Sequence, residues 1–299
     1  MYPKVKGIIR LTRFQEYLGF VAVNTFLGSI AAGGVFGWKL LIVMVANWLA
    51  VGFAFMINDV EDADDDALNP AKVGRNPISA KHVTPRLGYA ASFAVASLAA
   101  IAYALLGWLP FLLGLVSLAV GFFYSWKPVR LKNMFLVDMV SHCMMLAGLQ
   151  FLPAYFTFTN AVPGWAYFPF FFVVFISLYG ELFNEMRDLE GDLKAGLKHT
   201  AAVLGAKATL GVMITVFSLG AISGFISLFF IDLIPVWVLG TMAALLVVLI
   251  VPRMYRVRKQ QRSFALTQSL QDLVVNAAAI ALGLQMLVPW AQRLILNAL

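Results

Sequence analysis

The chain has 299 residues, of which 61% are hydrophobic and only 12% charged, and its mean hydropathy is +0.84. These values exclude a soluble globular protein and indicate an integral, multi-pass membrane protein. The net charge of +7 is explained by basic loops beside an anionic leaflet, so we expect membrane lipids and no nucleic acid as partners. The single cysteine, Cys143, excludes a disulfide framework and a cysteine metal site.

Apolar segments long enough to cross a bilayer recur from one end of the chain to the other. A helical span needs about 20 apolar residues, and open strands cannot satisfy their backbone hydrogen bonds in lipid. We therefore predict an all-α integral membrane protein with nine transmembrane helices. The nine predicted spans are 14–36, 38–57, 86–107, 109–126, 134–156, 164–183, 208–230, 233–252 and 270–291.

The basic residues lie almost entirely on one side of these spans. Twenty of the 22 Lys and Arg residues fall in the N-terminal segment or in connections that follow even-numbered spans. By the positive-inside rule, the N-terminus is cytoplasmic. We expect the protein to lie in the cell (inner) membrane. We expect a single domain, 1–299, built from two pseudo-equivalent halves, about 1–133 and 134–260, and a ninth helix.

Two of the cytoplasmic connections carry most of the acidic residues. The segments NDVEDADDD (58–66) and NEMRDLEGD (184–192) share one pattern: Asn, an acid, two residues, Asp, three residues, Asp. The first follows the second predicted span and the second follows the sixth. Matching polar segments in the two halves of a membrane protein point to one shared site.

The spacing of these acids becomes meaningful if each span continues as a helix, in which one residue advances about 100°. Two strips of oxygen ligands then form, one from Asn58, Asp59, Asp62 and Asp66 and one from Asn184, Glu185, Asp188 and Asp192. A site of oxygen ligands without Cys or His suits Mg²⁺, because this ion takes few protein ligands and can bind phosphate oxygens at its remaining positions. The alternative is two solvated loops. We expect the remaining acids to be solvated or outside direct ligation: Glu61, Asp64, Asp65 and Glu190.

The same connections also supply cations beside the acids. Lys and Arg next to Mg²⁺ carboxylates are typical of a phosphate or diphosphate clamp, although the positive-inside bias alone also places cations here. The candidate diphosphate-binding residues are Arg75, Lys127, Lys132, Arg187, Lys194 and Lys198.

At this point the sequence resembles the UbiA superfamily of intramembrane prenyltransferases. NDVEDADDDALNP is similar to the first aspartate-rich motif of that family and NEMRDLEGDLKAGLKHTAAVLG to the second. The stretches GRNPIS and YSWKPVRLK are also family-like, so the resemblance covers nearly the whole chain. Asn184 stands where some members have the leading Asp of the second motif, and it either contacts an ion or orients one.

The resemblance implies nine helices around a central cavity, with two Mg²⁺ ions holding an isoprenyl diphosphate at the cytoplasmic rim. Its implied metal and diphosphate residues are Asn58, Asp59, Asp62, Asp66, Asp188 and Asp192, then Arg75, Lys127 or Lys132, and Lys198. The implied activity is transfer of an isoprenyl group to an aromatic or lipid acceptor.

Such a transfer produces an allylic carbocation, which aromatic faces in a dry pocket stabilise. Tyr124, Trp126 and Tyr179 are the candidates for that pocket. We predict catalytic roles for Asp62, Asp188 and Tyr124. His142 lies within a predicted span, and the sequence favours an inter-helix hydrogen bond over a catalytic base there.

The rival function is a divalent-cation transporter or channel that uses the two acidic strips as its ion site. A transporter would place carboxylates near the bilayer midplane and has little need of flanking cations, so the rim position beside Arg and Lys favours the enzyme. The identity of the acceptor and the length of the prenyl chain are not encoded in these motifs.

Overall fold

The computed structural model describes residues 2–68, 73–194, 196–257 and 263–298, with backbone alone at 2–3, 192, 194, 251–257, 263–270 and 293–298. Every regular element within this part of the chain is helical. The helices are α1 (Tyr2–Leu11), α2 (Leu18–Ala31), α3 (Trp38–Glu61), α4 (Ala63–Ala67), α5 (Pro85–Ala104), α6 (Trp108–Ser125), α7 (Val137–Phe156), α8 (Tyr167–Lys194), α9 (Thr200–Phe229), α10 (Val236–Val257) and α11 (Ser263–Ala298).

Seven of these helices are long and apolar enough to cross a membrane, among the residues that are described. They are α3, α5, α6, α7, α8, α9 and, within α11, Gln271–Gln292. Two shorter apolar helices, Leu18–Ala31 and Val236–Ile250, coincide with the predicted first and eighth spans. The all-helical class is thus confirmed, and the count of nine spans stays a prediction.

The first predicted span, 14–36, is shorter in the structure because backbone turns interrupt it at both ends. A 3₁₀ turn at Phe14–Glu16 precedes α2. After Ala31 the chain turns at Gly33, whose φ of +67° is one that glycine adopts without strain. The amide of Gly34 then donates to the carbonyl of Ser29 at 2.8 Å, which satisfies one of the open carbonyls at the helix end.

Helix α7 contains a π-helical segment, Met144–Gly148, and Pro153 lies one turn beyond it. A π segment and a proline both free carbonyl oxygens from the regular helical ladder. Side-chain amides take up carbonyls of this region: Gln150 donates to Met145 O at 2.8 Å, and Asn24 donates to Leu146 O at 3.0 Å. The irregular backbone is therefore held in one conformation inside the bundle.

The interior is organised around α3, which packs on α5 and α6. Asn47, fully buried on α3, donates to Thr25 Oγ1 at 2.7 Å and to Gln150 O at 2.8 Å. Its own Oδ1 accepts the hydroxyl of Tyr103 at 2.7 Å. Because an unpaired amide in an apolar interior costs several kcal/mol, this satisfied network fixes how α2, α3, α5 and α7 sit against each other.

The helices that carry the two acidic segments differ in their continuity. Helix α8 runs without a break through 184–192, as the ligand-strip prediction assumed, and extends beyond the predicted end at 183. Helix α3 instead ends at Glu61, and the short α4 follows after Asp62. Helix α9 starts at Thr200, before the predicted 208, because it includes an N-terminal turn separated by a kink at Gly205 (φ +74°).

Candidate active site

The first acidic segment divides into two groups that face different neighbours. Asn58 and Asp62 form the first group: the Asn58 amide donates to Asp62 Oδ2 at 3.2 Å and to Ser125 Oγ at 3.0 Å. The two oxygens of Asp62 also accept from Arg130 Nη2 at 3.2 Å and Lys132 Nζ at 2.5 Å. This pair therefore faces the connection that follows α6.

Asp59 and Asp66 form the second group and depart from the predicted single strip. Both oxygens of Asp59, which is fully buried, bind the guanidinium of Arg13 in a bidentate ion pair. Asp66 accepts the Asn76 amide at 3.0 Å, and the same amide donates to the backbone carbonyl of Asp59 at 2.7 Å. Each group joins one residue of α3 with one residue beyond its end, and the two groups contact different partners.

Glu61 was expected to be solvated or outside direct ligation, and the structure shows that it is not solvated. Its side chain is buried, accepting the hydroxyl of Tyr89 at 2.6 Å and the backbone N–H of Lys127 at 3.1 Å. A buried carboxylate needs such donors to offset its desolvation. Glu61 thus ties the end of α3 to α5 and to the start of the 126–133 connection.

The connection that follows α6 contacts both acidic regions. Ser125, at the end of α6, accepts from Asn58 of the first segment, whereas its neighbour Tyr124 donates to Glu181 Oε1 on α8 at 3.3 Å. Further along, Lys132 binds Asp62, and the next residue, Asn133, accepts the backbone N–H of Lys198 at 2.8 Å. Residues 124–133 therefore contact the first acidic segment and two residues that flank the second, Glu181 and Lys198, at the same end of the bundle.

The predicted diphosphate cations lie around this mouth with different degrees of exposure. Lys132 is mostly buried, and burial lowers the pKa of its ammonium group while the adjacent Asp62 opposes that shift. Lys127 is exposed and lies 3.5 Å from Asp64. Arg75 is also exposed and pairs with Glu16 Oε2 at 2.5 Å. Arg130, which is not among the predicted diphosphate-binding residues, forms ion pairs with Asp62 at 3.2 Å and with Asp65 at 3.0 Å.

The second acidic segment exposes part of its predicted ligand face. Asp188 is exposed and accepts from its neighbour Arg187 at 2.8 and 2.9 Å. Asn184 is exposed towards a cavity of about 720 Å³. Lys198 is exposed, two residues before the start of α9. The side chains of Asp192 and Lys194, also predicted here, lie outside the described part of the structure.

Glu185 is buried instead, in a cluster with Asp138 and His199. It accepts the backbone N–H of Ala201 at 2.8 Å and lies 3.1 Å from His199 Nδ1. Asp138 accepts both the N–H and the hydroxyl of Thr200 at 2.5 Å. Free N–H groups at a helix N-terminus favour carboxylates, so this cluster fastens the start of α9 to α7 and α8.

The cavity of about 720 Å³ opens beside the second acidic segment, between α2, α7, α8, α9 and α11. Its polar wall includes His142, Glu181, Asn184 and Asp272, and Tyr179 contributes an aromatic ring. A second, apolar cavity of about 350 Å³ shares Phe20, Ile176, Val274 and Val275 with it and continues away from the acidic end. The two cavities together provide a polar mouth and an apolar interior.

The three aromatic residues predicted for the carbocation pocket occupy different places. Tyr179 lines the cavity, and Tyr124 reaches the cavity wall through its bond to Glu181. The indole of Trp126 stacks on Phe122, with ring centroids 5.3 Å apart. The structure therefore places Tyr179 in the cavity wall, Tyr124 behind the wall residue Glu181, and Trp126 among the phenylalanines of α6.

The donor chemistry at this end of the bundle fits Mg²⁺. Asn58, Asp62 and Asp66 on one side and Asn184 and Asp188 on the other offer amide and carboxylate oxygens, which this ion prefers over sulfur. Asp62 pairs with two cationic side chains, Arg130 and Lys132, so positive charge is concentrated beside it. An anion with several oxygens, such as a diphosphate, is the natural counterpart of such a set.

Comparisons of the sequence with known proteins agree with this chemistry. The sequence model of the UbiA prenyltransferase family matches residues 21–271. The chain is 26% identical over 251 residues to digeranylgeranylglyceryl phosphate synthase of Sulfolobus acidocaldarius, covering 79% of this chain and 85% of that protein. It is 28% identical over 235 residues to lycopene elongase/hydratase of Halobacterium salinarum, covering 72% and 76% of the two chains.

Solved structures share the fold. A UbiA homologue from Archaeoglobus fulgidus bound to GPP and Mg²⁺ has a TM-score of 0.67 at 18% identity, over 94% of this chain and 99% of that one. The apo structure of a UbiA homologue from Aeropyrum pernix K1 has a TM-score of 0.69 at 17% identity, over 91% and 98% of the two chains. At these identities the likeness establishes the fold.

Proposed function

The chain belongs to the UbiA prenyltransferase family, and we propose that it transfers an isoprenyl group from an allylic isoprenyl diphosphate to a lipid or aromatic acceptor, with Mg²⁺ as cofactor. One observation supports the proposal: residues 124–133 contact the first acidic segment through Ser125 and Lys132, and they contact Glu181 and Lys198, which flank the second segment, through Tyr124 and Asn133. Two oxygen-rich segments and several cations therefore share one mouth.

We assign the ion ligands to the two segments as the sequence predicts, with two Mg²⁺ ions. The proposed ligands are Asn58, Asp62, Asp66, Asn184, Asp188 and Asp192. Asp59 belongs to the same motif, but it is fully buried in its bidentate pair with Arg13, whereas Asp62 and Asp188 keep exposed surface. We therefore propose that Asp59 fastens the N-terminal segment and does not reach an ion. When bound, Mg²⁺ would neutralise charge on the diphosphate and favour its departure.

The chain's own residues then act on the parts of the substrate. Breaking the allylic C1–O bond places new negative charge on the diphosphate, which fixed cations stabilise; we propose Arg75, Lys127, Lys132, Arg187, Lys194 and Lys198 for this role, with Arg130 added by its place beside Asp62. The positive charge on the allylic carbon is stabilised by the aromatic side chains of Tyr124 and Tyr179. The apolar cavity of about 350 Å³ accommodates hydrocarbon and excludes water.

The proposed topology is that of one domain with nine spans and a cytoplasmic N-terminus. We propose that α2 and α10, the two shorter apolar helices, supply the spans beyond the seven that are long and apolar enough to cross a membrane. Basic residues concentrated at the acidic end of the bundle support a cytoplasmic mouth. The active site would then draw a charged diphosphate from the cytoplasm and a hydrophobic acceptor from the bilayer.

The names of two relatives indicate which classes of acceptor to test. One relative is a synthase of a glyceryl phosphate lipid and another acts on lycopene, by their names. The decisive experiment incubates purified protein, Mg²⁺ and labelled geranyl diphosphate with four acceptors in turn: an isoprenyl glyceryl phosphate, lycopene, p-hydroxybenzoate and a dihydroxynaphthoate. Mg²⁺-dependent appearance of a prenylated product supports the proposal.

The result that contradicts it is equally direct. A protein that binds no isoprenyl diphosphate at high concentration but conducts Mg²⁺ in liposomes would be a cation transporter. The cations placed within hydrogen-bond distance of Asp62 argue against that function, since they would repel a permeating ion.

A further inference from the structure

A hydrogen-bonded pair of ionisable side chains stands in the cavity wall, where the transfer described above gives it no role. Nδ1 of His142 on α7 lies 2.9 Å from Oε2 of Glu181 on α8, and their side chains are 18% and 10% exposed. Both residues line the cavity of about 720 Å³. The other oxygen of Glu181 accepts the hydroxyl of Tyr124 at 3.3 Å.

The geometry determines which ring nitrogen of His142 faces outward as a base. The hydroxyl of Tyr124 lies 3.3 Å from both Nδ1 of His142 and Oε1 of Glu181. An ionised carboxylate only accepts hydrogen bonds, and the shorter 2.9 Å contact joins Nδ1 to Glu181, so we assign the ring hydrogen to Nδ1 and the hydroxyl bond to Glu181. Nε2 then bears the lone pair, on a side chain that lines the cavity. A carboxylate that holds an imidazole in one tautomer and stabilises its protonated form is the arrangement of a general base.

Helix packing alone does not require this pair. Two ionisable groups within candidate membrane spans are costly compared with an amide contact such as those of Asn24 and Asn47. The buried pair of Glu185 and His199 is also ionisable, but it binds the N–H groups at the start of α9, whereas His142 and Glu181 line a cavity. The π segment of α7, a feature frequent at functional sites, begins two residues after His142, at Met144. Backbone irregularity, charge and cavity thus coincide at one place.

We propose that His142 is the general base that accepts the acceptor's proton, with Glu181 as its positioning residue; this rests on the transferase function proposed above. The attacking oxygen or ring carbon of the acceptor forms a bond to the allylic C1. The C1–O bond to diphosphate breaks, and its electron pair leaves with the diphosphate. The proton on the attacking atom passes to Nε2 of His142, and Glu181 stabilises the resulting imidazolium.

The test separates binding of the diphosphate from transfer. His142→Gln keeps a polar side chain but cannot act as a base, and we expect it to bind labelled geranyl diphosphate with Mg²⁺ within about threefold of the wild type. Transfer to the acceptor that the wild type uses in the four-compound screen should fall about 100-fold or more, as general-base catalysis contributes about 10²–10⁴. Ser141→Ala, one residue away and outside the cavity wall, is the matched control and should transfer normally.

Glu181→Gln tests the positioning role, because it retains the hydrogen bond to His142 without the negative charge. We expect kcat to fall about 10-fold or more while KM for the acceptor stays unchanged. Transfer by His142→Gln within about threefold of the wild type overturns the proposal, and so does a parallel loss of diphosphate binding, which would make the pair part of the diphosphate site. Absence of transfer in the wild type itself refutes the proposed function instead, so the two failures are distinguishable.

Discussion

Replacing Arg13 by Met should destabilise the protein strongly, because it leaves a buried carboxylate without its partner. Asp59 is fully buried and the side chain of Arg13 is only 11% exposed, and two hydrogen bonds join them. Removing one partner of a buried ion pair costs about 3–5 kcal/mol. At about 2 °C per kcal/mol for a chain of this size, the melting temperature should fall by about 6–10 °C.

The control for this prediction is a second arginine–carboxylate pair in the same region. Arg75 and Glu16 also form an ion pair, but their side chains are 54% and 40% exposed. Exposed pairs contribute about 0–1 kcal/mol, so Arg75→Met should change the melting temperature by no more than about 2 °C. The two variants remove the same charge from the chain, and burial is what distinguishes them.

The assay is thermal unfolding of purified protein in one detergent and at one heating rate, since membrane proteins unfold irreversibly and the apparent midpoint depends on the rate. The double variant Arg13→Met/Asp59→Asn removes the stranded charge and should regain most of the lost stability. A midpoint for Arg13→Met as high as that of Arg75→Met, or a double variant less stable than the single one, would refute the fastening role of Asp59.

Further predictions concern the mouth itself. Asp188→Asn changes an exposed side chain, so the melting temperature should hold within about 2 °C while prenyl transfer falls about 100-fold; normal turnover would contradict the ligand assignment. Glu61→Gln should destabilise by about 1–3 kcal/mol, read by thermal unfolding, because a buried acceptor of two hydrogen bonds is weakened. Because burial lowers the pKa of Lys132, its charge is lost as the pH rises, at lower pH than for an ordinary lysine. Diphosphate affinity should therefore decline through the alkaline range in the wild type and persist to higher pH in Lys132→Arg; identical profiles would exclude Lys132 as the titrating group.

Much of the architecture was predictable because the membrane restricts what a sequence can do. Only helices satisfy the backbone in lipid, so the apolar runs identified α3 and the helices α5 to α9, with the largest differences at the end of α8 and the start of α9. Positions 184–192 were expected on a continued helix, and α8 does extend through them. The kink at Gly205 and the π segment of α7 were missed because hydropathy windows register length and polarity and do not respond to local backbone geometry.

From the sequence, the residue types of the candidate site could be predicted more readily than the orientation of their side chains. The repeated pattern predicted both acidic segments. The assumption of one continuous helix through Asp66 placed Asp59 on the same face as Asp62, but helix α3 ends at Glu61. Burial of Glu61 depends on Tyr89 and on the Lys127 amide, which come from distant parts of the chain. Arg13 offered the clearest missed signal, since a buried acid at a helix end needs a cation from the same side of the membrane.

The measurement that tests the central claim most directly is binding of labelled geranyl diphosphate to the purified protein, with Mg²⁺ and with EDTA, in the wild type, Asp62→Asn and Asp188→Asn. If the two acidic segments hold one diphosphate through metal ions, binding requires Mg²⁺ and weakens about 10-fold or more in each variant, because each loses a charged ligand. Binding that is unchanged by EDTA, or that depends on one of the two aspartates alone, would contradict a site shared between the segments.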